Sequence, residues 1–318
     1  MSPTDPLPLA APESEGSISP PQPRGLDALR AELDAIDDAL LEALQRRAAV
    51  VAEVAALKNG GIALRPGREA AILRRLLAHA AGGPLPRQAL VRIWREILAG
   101  SLAQQGHFTI AVCEPGGGQK GAIGLLAREH FGALTPLHLH RSPSQAIGDV
   151  AAGTAWVAVL PLPAEEDAGG ALWWTSLLHQ DRMSLGRADH GGTAERGRIQ
   201  VVARLPFWAA RPEGAPRAAA FVVAAIPPDA SGADRTLFGL EFSAETSRAR
   251  LASQIAAAGF AAGTILLRRE GEQKTAQALV DLAGFIAEDD PRLAAIEGLL
   301  RPPVRLGAYA EAFEDTQP

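Results

Sequence analysis

Residues 26–58 read LDALRAELDAIDDALLEALQRRAAVVAEVAALK, and they establish the fold of the first part of the chain. Its apolar residues recur at steps of three and four, the spacing of one helical face. They are Leu26, Leu29, Leu33, Ile36, Leu40, Leu44, Val51 and Val54. The pattern predicts a helix of about 33 residues and about 50 Å. Because ordinary globular helices are much shorter, this length predicts a long bundle or a dimer in which helix packs against helix.

Two further helices are predicted after this one. Asn59-Gly60-Gly61 ends the first helix, and Pro66 suits the first position of a second. Gly82-Gly83-Pro84 ends the second helix, and a third follows from about residue 86 to 105. Residues 25–106 are therefore predicted to form an all-helical domain of three helices.

The rest of the chain has a different pattern. Over residues 107–212, short apolar runs alternate with helical segments, which predicts a small α/β lobe with parallel strands. Residues 213–318 read βαββαβ, the order of the ferredoxin-like split βαβ unit. The segments assigned to that unit are strands at 218–226, 263–268, 276–285 and 304–309 and helices at 243–258 and 290–300. The predicted fold class is a multi-domain α plus α/β protein.

Composition limits the classes of function. The 318 residues are 47% hydrophobic and 21% charged, a balance typical of a soluble protein with a core. Residues 1–24 are rich in Pro and Ser without a period, which predicts a disordered tail. The net charge of −5 and the absence of a clustered basic face argue against nucleic-acid binding. No apolar run approaches the roughly 18 residues of a membrane span, so no membrane partner is expected.

The cysteine count and the first residues predict the compartment. Cys113 is the single cysteine, which excludes an internal disulfide and a Cys-rich zinc site. The first residues show no basic-then-apolar export signal. We therefore expect a cytoplasmic protein, with no metal and no cofactor.

Two cations interrupt the apolar stripe of the first helix. Arg47 lies three residues after Leu44 and four before Val51, and Lys58 lies four after Val54. The two cations are separated by about three turns, or about 16 Å. Since an unpaired buried charge costs several kcal/mol, two such cations predict an anionic partner. One alternative is that each cation pairs with a carboxylate in the core or extends its charged end to solvent.

Polar residues also continue the faces of the other two helices. Ser101 and Gln105 follow Ile97 at steps of four on the third helix, and Arg68-Glu69 opens the second. Together with the two cations, these residues predict a site for a small anion between the helices.

At these positions residues 25–106 resemble the all-helical chorismate mutase domain, an intertwined dimer found alone or at the front of larger shikimate-pathway enzymes. The motifs are GLDALR around Arg30, IDDALLEALQRR through Arg47, VAALK ending at Lys58, RPGRE at 65–69 and SLAQQ at 101–105. Their order and spacing match over about 80 residues. Arg65 is a departure, because some relatives carry Asp there, and we expect it to alter contacts to the substrate hydroxyl without removing the site.

The resemblance implies the Claisen rearrangement of chorismate to prephenate, which needs no nucleophile, metal or proton transfer. The enzyme holds a dicarboxylate in its compact conformer and stabilises charge on the breaking ether oxygen. The resemblance implies that Arg47, together with Arg30 of the partner subunit, binds the carboxylates. It implies that Lys58 and Gln105 donate hydrogen bonds to the ether oxygen and that Glu69 accepts one from the ring hydroxyl. Arg68 and Ser101 complete the implied pocket.

The remaining two thirds resemble, less closely, the back half of bifunctional chorismate mutase–prephenate dehydratases. FTIAVCEPGGG, residues 108–118, and VLPLPAEEDAGGAL, residues 159–172, stand at that family's glycine loop and Pro-Ile-Glu-Asn-type turn. The family's Thr-Arg-Phe tripeptide corresponds to Gly197-Arg198-Ile199, which carries no hydroxyl. About 100 residues are enough for one α/β lobe, whereas the dehydratase fold needs two. We therefore expect dehydratase activity to be absent.

Residues 213–318 resemble an ACT domain, which in relatives binds phenylalanine. The family's Glu-Ser-Arg-Pro-type segment has no clear counterpart, and residues 267–271 (LRREG) stand near its place. Phenylalanine is thus one possible effector of this chain, and a purely structural remnant is the alternative.

Two whole-protein alternatives remain open: the full bifunctional enzyme, and a non-catalytic sensor of aromatic metabolites. Lys58 and Gln105 favour an enzyme, because donors aimed at the ether oxygen matter for the transition state more than for binding.

Two other sequence motifs are weaker indications of function. The glycines at 116, 118 and 121 resemble a dinucleotide fingerprint but lack its acidic residue, and His138 and His140 share a strand face without further metal ligands.

Overall fold

The computed structural model describes residues 25–57, 64–116, 121–167, 169–180, 197–208, 213, 215, 217–269 and 274–314. The tail predicted at 1–24, Lys58 and most of the glycine loop after Gly116 therefore lie outside the described residues. The chain divides into two compact units, residues 1–53 and 54–318.

The long first helix is present. α1 (Leu26–Leu57) runs for 32 residues, close to the predicted length, and none of its residues is buried. Its apolar stripe is exposed, with Leu33 at 60% and Leu40 at 56% of full exposure. The predicted packing of this stripe against another helix, in a bundle or a dimer, stays a prediction.

The other two predicted helices are α2 (Pro66–His79) and α3 (Arg87–Gln105). Pro66 occupies the first turn of α2, as predicted from its fixed φ and missing N–H. Leu77 of α2 packs with Leu90 of α3 and with Trp208, which follows a strand of the α/β region. The two helices are thus attached to the sheet described next.

The α/β region forms one mixed sheet of nine strands in the order β2-β1-β3-β5-β4-β9-β6-β8-β7. The elements are β1 (Ile110–Cys113), α4 (Ala122–Phe131), β2 (Leu137–His140), α5 (Pro143–Ala152), β3 (Val157–Pro161), α6 (Trp173–Leu178), β4 (Gln200–Leu205), β5 (Ala220–Ala224), β6 (Asp234–Ser243), α7 (Arg248–Ala257), β7 (Ala262–Arg269), β8 (Thr275–Ala283) and β9 (Val304–Ala310).

The first lobe contains the predicted parallel strands and one strand more. β1 pairs in parallel with β2 and with β3, as the sequence predicted. β5 pairs antiparallel with β3 and with β4. The strand predicted at 218–226 is therefore real, but its assignment as the first strand of the C-terminal unit is wrong.

The first strand of the C-terminal unit is β6, which the sequence analysis missed. Gly239 lies in the middle of β6, and a glycine inside an apolar run normally weakens a strand. Here a Cβ at residue 239 would lie 2.6 Å from Leu178 Cδ1, so the glycine lets α6 pack directly against the strand. The predicted helix at 290–300 is also wrong, because only a short 3₁₀ segment, Pro291–Ala295, forms there.

With β6 in place, the last four strands have the order β9-β6-β8-β7, and all their pairs are antiparallel. This is the strand order of a split βαβ unit in which α7 joins β6 to β7. Phe238, Leu240 and Phe242 pack under α7. Leu237 and Leu279, on the other face, join the core of the first lobe, so the two halves of the sheet share apolar packing.

Cys113 lies at the end of β1 as a buried free thiol. Burial, with a smaller contribution from the charge of Glu114, raises the pKa of this thiol to about 11. Because the thiolate is the reactive form, Cys113 stays protonated and inert near neutral pH.

Candidate active site

The first helix carries two of the predicted cations. Arg30 is exposed, and its Nη1 lies 3.3 Å from Asp27 Oδ1, a surface contact of small energetic value. Arg47 is half-buried, and burial lowers the pKa of its guanidinium. Lys58 lies outside the described residues. The roles predicted for these three cations stay predictions.

Of the two predicted site residues at the start of α2, one is exposed and the other is buried. Arg68 is exposed to solvent, whereas Glu69 is buried. Glu69 Oε2 accepts a hydrogen bond from Arg95 Nη1 at 3.0 Å, and the Arg95 side chain is 4% exposed. Burial raises the pKa of Glu69, and the positive charge of Arg95 offsets part of the rise. The pair joins α2 to α3 by a charged contact with little access to water.

Arg95 is the functional candidate that the sequence analysis missed. It lies four residues after Val91 and three before Leu98, both buried, so it occupies the apolar face of α3. The same test that singled out Arg47 on the first helix would have found it. The Arg95 guanidinium also lies 5.3 Å from the centre of the Phe207 ring, a cation–π contact.

The last turn of α3 carries the other two predicted residues. Ser101 and Gln105 are both half-buried and lie one turn apart. Ser101 Oγ donates to the Ile97 carbonyl at 2.8 Å, a bond within the helix. The structure thus confirms that both residues are on one helix at the predicted spacing, and their roles toward a substrate stay predictions.

Arg65, the departure from the family pattern, contacts the C-terminal region. Its Nε lies 3.2 Å from Oδ2 of Asp229, a residue in the loop between β5 and β6. In this structure the Arg65 side chain therefore binds a carboxylate of the same chain.

The α/β lobe has its own polar contacts. Arg198, in the place of the dehydratase tripeptide, donates from Nη1 to Glu288 Oε1 at 3.1 Å and from Nη2 to the Arg305 carbonyl. These contacts join Arg198 to the C-terminal half of the sheet.

The two histidines of β2 share one carboxylate. His138 Nδ1 and His140 Nε2 lie 3.3 and 2.9 Å from Asp149 Oδ2. Burial alone would raise the pKa of Asp149, but the hydrogen bonds from the two histidines lower it. Among the described residues, no three His, Cys, Asp or Glu side chains are placed to hold a metal ion. In the part of the chain that the structure describes, no helix is both long and apolar enough to cross a membrane.

Sequence comparison identifies the helical region that carries these residues. Residues 29–106 match the family chorismate mutase type II. The matched residues include every site residue predicted above, from Arg30 to Gln105.

Curated relatives extend the match into the α/β region. The chain is 30% identical over 173 residues to a bifunctional chorismate mutase/prephenate dehydratase of Pseudomonas aeruginosa, covering 52% of this chain and 46% of that protein. It is 37% identical over 105 residues to the enzyme of the same name from Neisseria gonorrhoeae, covering 32% of this chain and 27% of that one. The chain thus spans less than half the length of these relatives.

Similar solved structures are more distant. A prephenate dehydratase from Streptococcus mutans matches at 15% identity and a TM-score of 0.41, over 65% of this chain and 100% of that one. A quorum-quenching acylase, GqqA, matches at 16% identity and a TM-score of 0.44, over 64% of this chain and 94% of that one.

Proposed function

We propose that this chain is a chorismate mutase, an isomerase that converts chorismate to prephenate in phenylalanine and tyrosine biosynthesis. The observation that carries the proposal is the family match of residues 29–106. The match includes the seven predicted site residues and Arg65, the position that departs from the family pattern. They are Arg30, Arg47, Lys58, Arg65, Arg68, Glu69, Ser101 and Gln105.

The chemistry suits the residues available. In a Claisen rearrangement one C–O bond breaks and one C–C bond forms within a single molecule, so no outside atom or electron is required. Arg47 and Arg30 of the partner subunit bind the two carboxylates, while Lys58 and Gln105 donate to the ether oxygen as its negative charge grows. Glu69 accepts the ring hydroxyl at Oε1, since Arg95 occupies Oε2. Arg68 and Ser101 complete the pocket.

A homodimer is part of this proposal, and the exposed face of α1 supports it. Eight apolar residues of one helical stripe lie on a helix with no buried residue, and exposed apolar surface of this extent marks an interface. A second copy of the chain is the partner that this repeated stripe fits.

We expect the protein to sediment as a dimer of 33.2-kDa chains. Leu40→Glu should shift it toward the monomer, because the change places a charge in the apolar contact. Glu42→Ala, on the opposite side of the same helix, is the control and should leave the mass unchanged. Analytical ultracentrifugation makes the measurement. A wild-type monomer at micromolar concentration would contradict the dimer.

The first test of activity is the loss of chorismate absorbance with the purified protein. We expect prephenate to accumulate with no phenylpyruvate above background, because Gly197 has no hydroxyl and Arg198 is held by Glu288 and the Arg305 carbonyl. Phenylpyruvate formed from added prephenate would favour the bifunctional alternative, as the names of the relatives suggest. Chorismate binding without turnover would favour the sensor instead.

For the C-terminal region we propose an ACT-like unit with phenylalanine as its effector, supported by the strand order β9-β6-β8-β7. We also propose that the α/β lobe ends after β5, near residue 226 and not at 212, because β5 pairs with β3 and β4. The cytoplasm is the compartment proposed for the enzyme.

A further inference from the structure

The first turn of α2 is capped by a residue from a distant part of the chain. Asp229 Oδ1 accepts from the Gly67 N–H at 2.9 Å, and Oδ2 accepts from the Arg68 N–H at 3.0 Å. Arg65, the residue at the helix's own cap position, makes no side-chain capping bond within the described structure. The free N–H groups of a helix start need an acceptor, and a carboxylate also suits the positive end of the helix dipole. Asp229 supplies both from 162 residues away.

The contact is close enough to require glycine. A Cβ on residue 67 would lie 2.1 Å from the Asp229 carbonyl oxygen, well inside van der Waals contact. Gly67 is the middle residue of the RPGRE motif, so the motif permits this approach of the β5–β6 loop to the helix.

The loop that carries Asp229 is itself held in place. The Asp234 carboxylate accepts from the backbone N–H groups of Ser231 and Gly232 at 2.9 to 3.0 Å. Arg74 of α2 donates to Ser231 Oγ at 2.8 Å and to the carbonyls of Ala233 and Glu311 at 3.0 and 2.7 Å. The loop therefore forms hydrogen bonds with α2 at two places, at its first turn and at Arg74, and it leads directly into β6.

We propose that Asp229 is a positioning residue of the mutase site, which holds the start of α2 and thereby the placement of Arg68 and Glu69. Arg68 is bound by Asp229 through its own backbone N–H, and Glu69 is the next residue along the helix. The C-terminal half of the chain would then take part in forming a site whose substrate contacts all come from residues 25–106. This inference rests on the proposed chorismate mutase activity.

Electrostatics gives the inference a specific signature. Burial is the main cause that raises the pKa of Glu69, and the negative charge of Asp229 raises it further. Removing that charge should lower the Glu69 pKa, so the acid limb of the kcat/KM profile should move to lower pH. A substitution at a position whose charge does not reach Glu69 would leave the midpoint of this limb unchanged.

The test compares Asp229→Ala, Asp229→Asn and the control Asp290→Ala in the full-length protein. Asp290 also caps a helical segment, accepting from the Arg292 N–H at 3.0 Å, but that segment is the 3₁₀ turn at Pro291–Ala295 and not α2. We expect kcat/KM for chorismate to fall about tenfold in Asp229→Ala. The loss of the cap destabilises the first turn of α2, and Arg68 and Glu69 are then misplaced relative to the substrate. Asp229→Asn keeps one acceptor oxygen and should lose about threefold. Both variants should shift the acid limb downward, while Asp290→Ala should match the wild type.

Hydrogen exchange of peptides covering residues 64–73 separates this inference from the proposed function. Faster exchange there in Asp229→Ala, together with the kinetic loss and the pH shift, supports the positioning role. Wild-type kcat/KM and an unmoved acid limb in both Asp229 variants would overturn it, even if exchange became faster. If Asp229→Ala fails to fold, Asp229→Asn alone decides by the same criteria. A wild-type protein that is inactive on chorismate would reject the proposed function and with it the positioning role, while faster exchange at 64–73 in Asp229→Ala would still show that Asp229 caps α2.

Discussion

Replacing Lys58 by alanine is expected to lower kcat for chorismate by about 100-fold to 1,000-fold, the usual effect of losing one donor to a developing negative charge. The breaking ether oxygen gains charge in the transition state, so the loss should appear in kcat more than in KM. Steady-state kinetics from the decrease in chorismate absorbance make the measurement.

The chain offers a matched control for this substitution. Lys274→Ala removes another lysine at an exposed position just before β8, far along the chain from the helical region, and should leave both constants unchanged. Equal kcat values for Lys58→Ala and the wild type would remove Lys58 from the mechanism.

Arg47 and its neighbour Arg46 offer a test of the predicted contact to a substrate carboxylate. Arg47→Ala should raise KM strongly, because a charge-assisted contact to a substrate carboxylate is lost in the ground state as well as in the transition state. Arg46→Ala, one position earlier on α1 and exposed, is its control. Similar effects of the two variants would indicate that the overall positive charge of the helix, and not the position of Arg47, matters.

The second large effect concerns the buried ion pair between Glu69 and Arg95. Glu69→Ala or Arg95→Ala should lower the free energy of unfolding by about 3–5 kcal/mol, because each leaves an unpaired charge in a site closed to water. The separation of 3.0 Å and the exposures of 4% and 11% make this pair far more sensitive than a surface contact. Arg92→Ala, which removes an exposed arginine from the same helix, should change stability by less than about 0.5 kcal/mol.

Replacing both partners distinguishes the stability role of Glu69 from its proposed catalytic role. Glu69→Leu with Arg95→Met removes both charges together, and most of the lost stability should return. Mutase activity should stay low in the double variant, because the acceptor for the substrate hydroxyl is gone. Urea unfolding and chorismate kinetics on the same samples make both measurements. If the double variant is as unstable as the less stable single variant, the loss of stability in the single variants does not come from leaving one charge unpaired.

The helical region was the part that local sequence patterns predicted well. The three- and four-residue steps from Leu26 to Val54 predicted a helix that the structure confirms at 32 residues. Pro66 and the glycines at 82 and 83 marked the helix ends because φ restriction and glycine freedom act within a few residues. The mutase motifs were also visible, since they are spaced along the faces of these helices.

Local sequence patterns were enough to place the helices and most strands, and to show that residues 25–106 resemble a chorismate mutase domain. The three-dimensional structure was needed to show which strands β5 pairs with, that Gly239 lies inside β6, that Glu69 pairs with Arg95, and that Asp229 caps α2. These contacts join residues that are far apart along the chain. Periodicity and turn preferences depend on neighbouring residues, whereas strand pairing, glycine contacts and buried ion pairs depend on residues 26 to 162 positions apart, whose meeting no local pattern encodes.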